Sequence, residues 1–379
     1  MKKFILLCTF CWGMLVPGAR ACTSFLAGRN ATIDGSTFIT YAADSHTLYG
    51  ALKFIPAARH PKNSTMEIRE WDTNKLLGHI PQVEYTYKVV GNMNEHQLSI
   101  TESTWGGRPE LVDTTGIIDY GSLMYIALQR AKTAREAITV MTDLVSEYGY
   151  YSSGESFSIA DPEEVWIMEM IGKGPQNQGA VWVAVRIPDD CIAAHANQSR
   201  IHKFPLDDKE NCLYSPDVIS FAREQGYFNG LNKDFSFADA YAPADFGALR
   251  GCEARVWSFY NRFNSSMGKY LSYLNGKSKE YLPLYIKPDK KLSVQDMKDA
   301  MRDHFEGTPF DMTQDVGAGP FKCPYRFRPM TFKVDSVEYT NERAVATQQT
   351  AFTLVAQMRS WLPNAIGGVL WFGVDDTNT

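Results

Sequence analysis

Cys22 is the residue with the most chemistry to offer, because of what precedes it. Lys2 and Lys3 give a positive start, Phe4 to Val16 is an uncharged apolar run, and Pro17-Gly18 breaks it. Ala19-Arg20-Ala21 then forms a small-x-small cleavage site. Cutting after Ala21 makes Cys22 the first residue of an exported chain. Its thiol then sits beside its own α-amino group, which titrates near about 7.7–8.0 against about 8.5 for a free thiol. Near neutral pH part of that amine is unprotonated and can take the thiol proton. One residue thus supplies nucleophile and general base, extending to sulfur the pairing of an N-terminal Thr with its amine. Acyl transfer to sulfur and hydrolysis of the thioester follow; no histidine is needed, only an oxyanion stabiliser and groups that hold the amine.

A mature N-terminal cysteine also suits a bacterial lipid-attachment site, in which acylation abolishes the thiol chemistry. Such sites carry Leu or a similar residue three positions earlier; here Ala19 stands there, followed by the bulky charged Arg20. The chain therefore divides into a signal peptide, 1–21, and a single domain, 22–379, periplasmic or secreted, with a lipid anchor as the lesser reading. The apolar run is too short to span a bilayer, and no later segment matches it, so no transmembrane segment is expected after signal removal.

The composition is that of a chain with a sizeable core, 44% hydrophobic and 13% aromatic, with net charge −5. Without a basic run, a nucleic-acid partner is not expected. Cys8 and Cys11 leave with the signal; Cys22, Cys191, Cys212, Cys252 and Cys323 remain, an odd count that leaves one thiol over. The other four either pair or serve as small buried hydrophobes. Among these five no C-x-x-C spacing remains, and no H-E-x-x-H occurs, so neither metal nor cofactor is expected.

The elements that must position Cys22 follow from patterning. Thr23 to Ala27 and Thr37 to Ala42 read as strands around the Asp34-Gly35 turn, with Cys22 opening a sheet edge. Lys88 to Met93 and Leu98 to Glu102 suggest a hairpin around Asn94-Glu95. Ser122 to Glu147 carries helical periodicity with a break near Thr133. Strands are expected at 156–159, 165–171, 180–186 and 191–194, then an irregular stretch from Asp207 to Asp245. Ser293 with Asp296 starts a helix reaching His304, Glu342 to Trp361 reads as a last long helix, and Gly367 to Phe372 as a strand. Blocks of helices and strands indicate an α+β fold. A core strand so near residue 379 suggests a C-terminally truncated chain. Trp166, Trp182 and Trp371 fall in strand-like runs and are expected in the core.

Cys22-Thr23-Ser24-Phe25-Leu26-Ala27-Gly28-Arg29-Asn30 resembles the opening of the cysteine dipeptidases related to dipeptidase A and secernins, within the N-terminal-nucleophile hydrolases. The likeness continues through Thr104-Trp105-Gly106-Gly107-Arg108, Gly154 to Asp161, Glu164 to Glu169 and His195-Ala196-Asn197-Gln198. Further on it includes His304 to Asp311 and Gly367 to Gly373, in the same order along the chain. The resemblance implies a four-layer αββα sandwich with Cys22 at the end of a central strand, and hydrolysis of dipeptides or short peptides without a metal. It implies that Asp44 holds the α-amino group, that Asn197 serves the oxyanion hole, and that Arg255 is an active-site arginine. Tyr41 departs from the family, which usually has Arg there, and bears on substrate charge preference.

Each residue has a plainer reading: Asp44 a turn carboxylate, Asn197 a capping residue or glycosylation sequon, Arg255 the partner of Glu253. His195 and His304 read as core or surface histidines. Glu102 and Thr104, before a Trp-Gly-Gly turn, are candidates for lining the substrate pocket. A non-peptide amidase of the same fold, acting on bile-salt or acyl-amino-acid bonds, and a lipid-anchored binding protein are the alternative functions. The sequence admits a homo-oligomer without specifying one.

Overall fold

The computed structural model describes residues 22–45, 48–326, 331–340 and 342–378. The expected signal segment lies outside the described residues. The first strand, Ser24–Ala27, runs antiparallel to Thr37–Asp44 through Leu26↔Ile39. Between them Asp34 accepts the Ser36 N–H on its carboxylate at 3.1 Å, and Gly35 takes φ +80°, a conformation that costs glycine nothing. Both strands are buried at every position. Strands covered on both faces lose the alternation that marks a half-buried strand.

The sheet that holds them is six-stranded, in the order Tyr285–Ile286, Ile192–His195, Ser24–Ala27, Thr37–Asp44, Thr350–Met358, Val369–Val374. Ser24–Ala27 is therefore an interior strand and not a sheet edge: Ile192–His195 pairs along its other side, with Ser24 opposite His195. An eight-stranded sheet lies against it, in the order Cys212–Tyr214, Ala180–Arg186, Val165–Gly172, Gly154–Ala160, Ser99–Trp105, Met93–Asn94, Val89–Val90, Phe54–Ile55. The strands from Gly154 to Arg186 run antiparallel in sequence order, as expected from their turn signals, and Ser99–Trp105 pairs along the other side of Gly154–Ala160 across the two intervening helices.

Three apolar clusters bind these elements. Leu26, Ile39 and Ala43 meet Ile167, Val181 and Val183 between the sheets. The neighbouring residues Phe25 and Phe38 point the other way, as the pleat requires, onto Val256, Phe259 and Met297 of the helices Ala254–Phe263 and Val294–Met301. Phe25 and Phe259 stack with centroids 4.1 Å apart. Ile100, Phe157 and Met168 pack on Leu123, Ala127 and Met141 of the helices Tyr120–Arg130 and Ala134–Tyr148. The break near Thr133 is the N-cap of the second of these, where the Thr133 hydroxyl accepts the Glu136 N–H. Ser293 and Asp296 form the reciprocal capping box, but the helix ends at Met301, short of His304.

The expected long helix over 342–361 does not form. Thr350–Met358 is a strand, inserted between Thr37–Asp44 and Val369–Val374. All of its residues except Ala351 are buried, so neither a helical nor a strand period shows, and its Thr, Phe and Val residues pack well on a pleated surface. Asp207 to Asp245 holds the short elements Cys212–Tyr214, Val218–Glu224 and Phe237–Tyr241 among turns. Trp166 is in the core and Trp182 packs partly against it, whereas Trp371 lies on the outermost strand, 41% exposed, under the Lys298 ammonium. Cys22, Cys191, Cys212, Cys252 and Cys323 are all free thiols, and burial pushes Cys191 and Cys212 up to about 12. Among the described residues no helix is long and apolar enough to cross a membrane.

Leu354, 1% exposed in the middle of the inserted strand, gives a direct check. Leu354→Ala should cost about 2–5 kcal/mol in urea unfolding; a cost well under 1 kcal/mol would place this side chain outside the core.

Candidate active site

Cys22 stands at the head of the interior strand, 6% exposed. A bridge between Thr23 and Ala42 (N···O 3.3 and 2.9 Å) fixes it against the far end of Thr37–Asp44. That register brings Tyr41 and Asp44 to the cysteine. From the facing sheet, Ser99–Trp105 brings Glu102, whose Oε1 is 3.6 Å from the Cys22 Sγ. The Tyr41 hydroxyl is 3.9 Å from the same sulfur and donates to the same carboxylate oxygen.

Arg255, 1% exposed, closes the other side. Its Nη1 donates to the Cys22 carbonyl at 2.8 Å and to Thr23 Oγ1 at 2.7 Å. Nη2 donates to the Ala196 carbonyl at 3.1 Å and to Asn197 Oδ1 at 2.9 Å, and Nε to the Gly251 carbonyl at 2.7 Å. Glu253, the plainer partner for Arg255, pairs with Arg200 instead at 2.9 Å. Burial, and then Arg343, lower Arg255 to about 10, which leaves it cationic at neutral pH.

Asn197 follows the strand Ile192–His195 with φ +58°, a left-handed conformation that Asn tolerates better than most residues. Its Nδ2 donates to the Thr104 carbonyl at 2.6 Å while Oδ1 accepts from Arg255. The carboxamide of the sequon is thus engaged on both sides. Thr104 donates from its hydroxyl to Glu155 at 2.7 Å, and both border a cavity of about 600 Å3 together with Asp72, Asp119 and Tyr120.

Asp44 is buried, ion-paired with Arg343 and hydrogen-bonded by Thr350 Oγ1 at 2.6 Å. Burial raises its carboxyl above the ordinary value, against the pull of Arg343. The Cys22 thiol is pushed well up, first by burial, then by the negative charges of Glu102 and Asp44; the Asp44 backbone N–H acts in the opposite direction. Tyr41 is also pushed well up by burial and stays a phenol, a hydrogen-bond donor without charge. The thiol at rest is therefore protonated, and its activation calls for a base or a cation beside it.

The structure thus brings Cys22, Tyr41, Asp44, Glu102, Asn197 and Arg255 into one connected site, with Thr104 at its border. Sequence reading missed Arg343, Thr350, Glu155 and Ser103. Arg343 and Thr350 fell in the supposed last helix, and no spacing ties them to Asp44. His195 is a core residue: its Nδ1 lies 2.6 Å from Ser103 Oγ and its Nε2 2.7 Å from Ser158 Oγ, linking the two sheets. Burial, Arg200 and Arg255 hold it down to about 3, so the ring is neutral. His304 is buried beside Glu306. Among the described residues no group of three or more His, Cys, Asp or Glu side chains is arranged to hold a metal ion.

Two outcomes follow. Arg343→Met leaves Asp44 buried without its cation and should cost about 3–5 kcal/mol in denaturant unfolding; a cost below 1 kcal/mol would mean that the pair is solvated. For His195, an unfolded chain takes up a proton below about 6.5 whereas the folded ring stays neutral down to about 3, so folding is progressively weakened as pH falls through that window. His195→Gln should flatten the dependence of unfolding free energy on pH there; an unchanged slope would exclude this histidine as its source.

With this geometry in place, the chain can be set beside known proteins. The sequence model of Peptidase family C69 matches residues 54–379, a span that includes Glu102, Asn197, Arg255 and Arg343 and begins after Cys22 and Asp44. The chain is 27% identical to a probable dipeptidase of Salmonella dublin, over 97% of this chain and 81% of that protein. It is 27% identical to a probable dipeptidase of Latilactobacillus sakei, over 93% and 71%, and 24% identical to dipeptidase A of Lactobacillus helveticus, over 94% and 74%. A match over most of its length, with these relatives, places the chain in peptidase family C69, among the hydrolases of peptide bonds.

Proposed function

We propose that this chain is an exported cysteine dipeptidase with Cys22 as an N-terminal nucleophile, built on a four-layer αββα sandwich. The observation that carries the reading is the hold on Cys22: Arg255 fixes its carbonyl and, with the same guanidinium, Asn197. The relatives' names support a dipeptide or short-peptide substrate. The helices packed outside each of two facing sheets support the layered architecture.

In this reading, cleavage after Ala21 turns the Cys22 backbone nitrogen from an amide, which is no base, into an amine. The free amine takes the thiol proton, and Glu102 and Asp44, which oppose a lone thiolate, stabilise the ammonium formed beside it. The thiolate adds to the peptide carbonyl carbon, and its oxygen becomes an oxyanion served by the Asn197 region. Collapse breaks the C–N bond, and the leaving amine takes the proton from the Cys22 ammonium. Water, deprotonated by the same amine, then hydrolyses the thioester and releases the thiol. Asp44, gripped by Arg343 and Thr350, keeps the amine oriented. The tight packing of Cys22 on Tyr41 and Glu102 speaks against a diacylglyceryl group on its sulfur.

Mass spectrometry of the mature protein should find an unmodified Cys22 terminus in the exported fraction; a diacylglyceryl mass would overturn the enzyme reading. Cys22→Ala, or a chain still carrying residues before Cys22, should lose at least about a thousandfold in dipeptide hydrolysis. Cleavage of conjugated bile acids but not dipeptides would replace the dipeptidase reading with the amidase one.

A further inference from the structure

We propose that Glu169 is a positioning residue for the reaction: from the layer between the two sheets it fixes the turn that carries Asn197, and so aims the Asn197 carboxamide. This rests on the dipeptidase reading and extends it to a residue that the reading leaves without a role.

The placement follows from strand register. Ser103 stands opposite Ser156, and Ser156 opposite Glu169, on three adjacent antiparallel strands. Residues directly opposite share a face. Here it is the face turned to the six-stranded sheet, since Ile167 and Ile171, two residues to either side of Glu169, belong to the cluster between the sheets. A polar row therefore runs through that layer. Ser103 Oγ accepts the Asn197 N–H at 3.3 Å. Glu169 Oε1 accepts the Arg200 N–H at 2.6 Å, and its Oε2 accepts the Ile201 N–H at 3.1 Å and the Ser199 hydroxyl. The turn is laid across this row and held at both ends.

Burial is costly for such a group. Glu169 is fully buried, which raises its carboxyl above the ordinary value, against the bonds from Ser199, Arg200 and Ile201. An apolar side chain would fill the place without that cost. What the carboxylate adds is acceptors for two consecutive backbone N–H groups that lie outside any strand or helix. Asn197 itself takes φ +58°, a backbone that persists only where its surroundings enforce it.

The groups that grip the carboxamide lead back to the same carboxylate. The Arg200 guanidinium donates to Glu253 at 2.9 Å, two residues before Arg255, and to the Ala194 carbonyl at 2.8 Å. Ser156 Oγ donates to Glu169 at 3.3 Å and accepts the Trp105 indole N–H at 3.1 Å. Trp105 follows Thr104, whose carbonyl accepts from the Asn197 Nδ2. Small shifts of such a framework are felt as lost orientation in the transition state.

The test is a double-mutant cycle on the processed enzyme with alanyl-alanine, the folding of each variant being followed by circular dichroism. Glu169→Gln keeps the size but sets an amide NH2 against a backbone N–H, so the turn loosens. It should lower kcat about ten- to a hundredfold while KM changes less than about threefold. Asn197→Gly keeps the left-handed backbone without strain and removes the carboxamide. In that background Glu169→Gln should cost less than about threefold further, because the group it aims is gone. Ser199→Ala, which removes one bond to the carboxylate, should act the same way by less and completes the cycle should Glu169→Gln fail to fold. Equal factors with and without the carboxamide, or an unchanged kcat in folded Glu169→Gln, overturn the inference while the dipeptidase reading stands. Failure of the processed wild type to cleave any dipeptide overturns both.

Discussion

The buried guanidinium of Arg255 is the constraint on which the rest of the site depends. It joins three separate pieces of chain: the residues that start the interior strand, the turn after the neighbouring strand at Ala196-Asn197, and its own helix at Gly251. A cation taken out of water is costly, and five directed hydrogen bonds to oxygen acceptors offset that cost. Arginine suits the task because its planar fork can serve several acceptors at fixed angles, which a lysine ammonium on a flexible stem does not. Moving Cys22, Thr23 or Asn197 would leave a buried N–H unsatisfied, so the bonds hold one another in place.

Around that anchor the charges follow a simple plan. Asp44, at the end of its strand, is matched by Arg343, and Glu253 by Arg200, both pairs buried. Glu102 is bonded by a phenol that carries no charge, close to the sulfur. Because low-dielectric surroundings strengthen every such interaction, burial together with Glu102 and Asp44 pushes the Cys22 thiol well up. The neutral His195, bridging serines of the opposite sheet, ties the two sheets together without adding charge to this balance.

Much of the fold was legible because its signals are local. The break at Thr133 and the capping box at Ser293 rest on hydrogen bonds within one turn of backbone. The run of antiparallel strands from Gly154 to Arg186 was visible in its turn residues. Thr350–Met358 was misread because its identity comes from two flanking strands, and burial on both faces hides any period. Trp371 was misplaced for a related reason: a bulky residue in a strand-like run is as apolar on an outermost strand as in a core, and only the strand order tells which.

The sequence by itself determined the chemistry on offer: a cysteine set behind an apolar segment, the candidate partners Tyr41, Asp44, Glu102, Thr104, Asn197 and Arg255, and an α+β pattern of elements. Residue type, local turns and motif order carry that information. Only the tertiary structure decided that the strand after Cys22 is interior, that Arg343 rather than a local neighbour holds Asp44, and that Glu102 stands against the sulfur. Those relations join residues tens to hundreds of positions apart through strand register and sheet packing. No spacing in the chain encodes them; they arise when both faces of each sheet must be covered and each buried charge must find a partner.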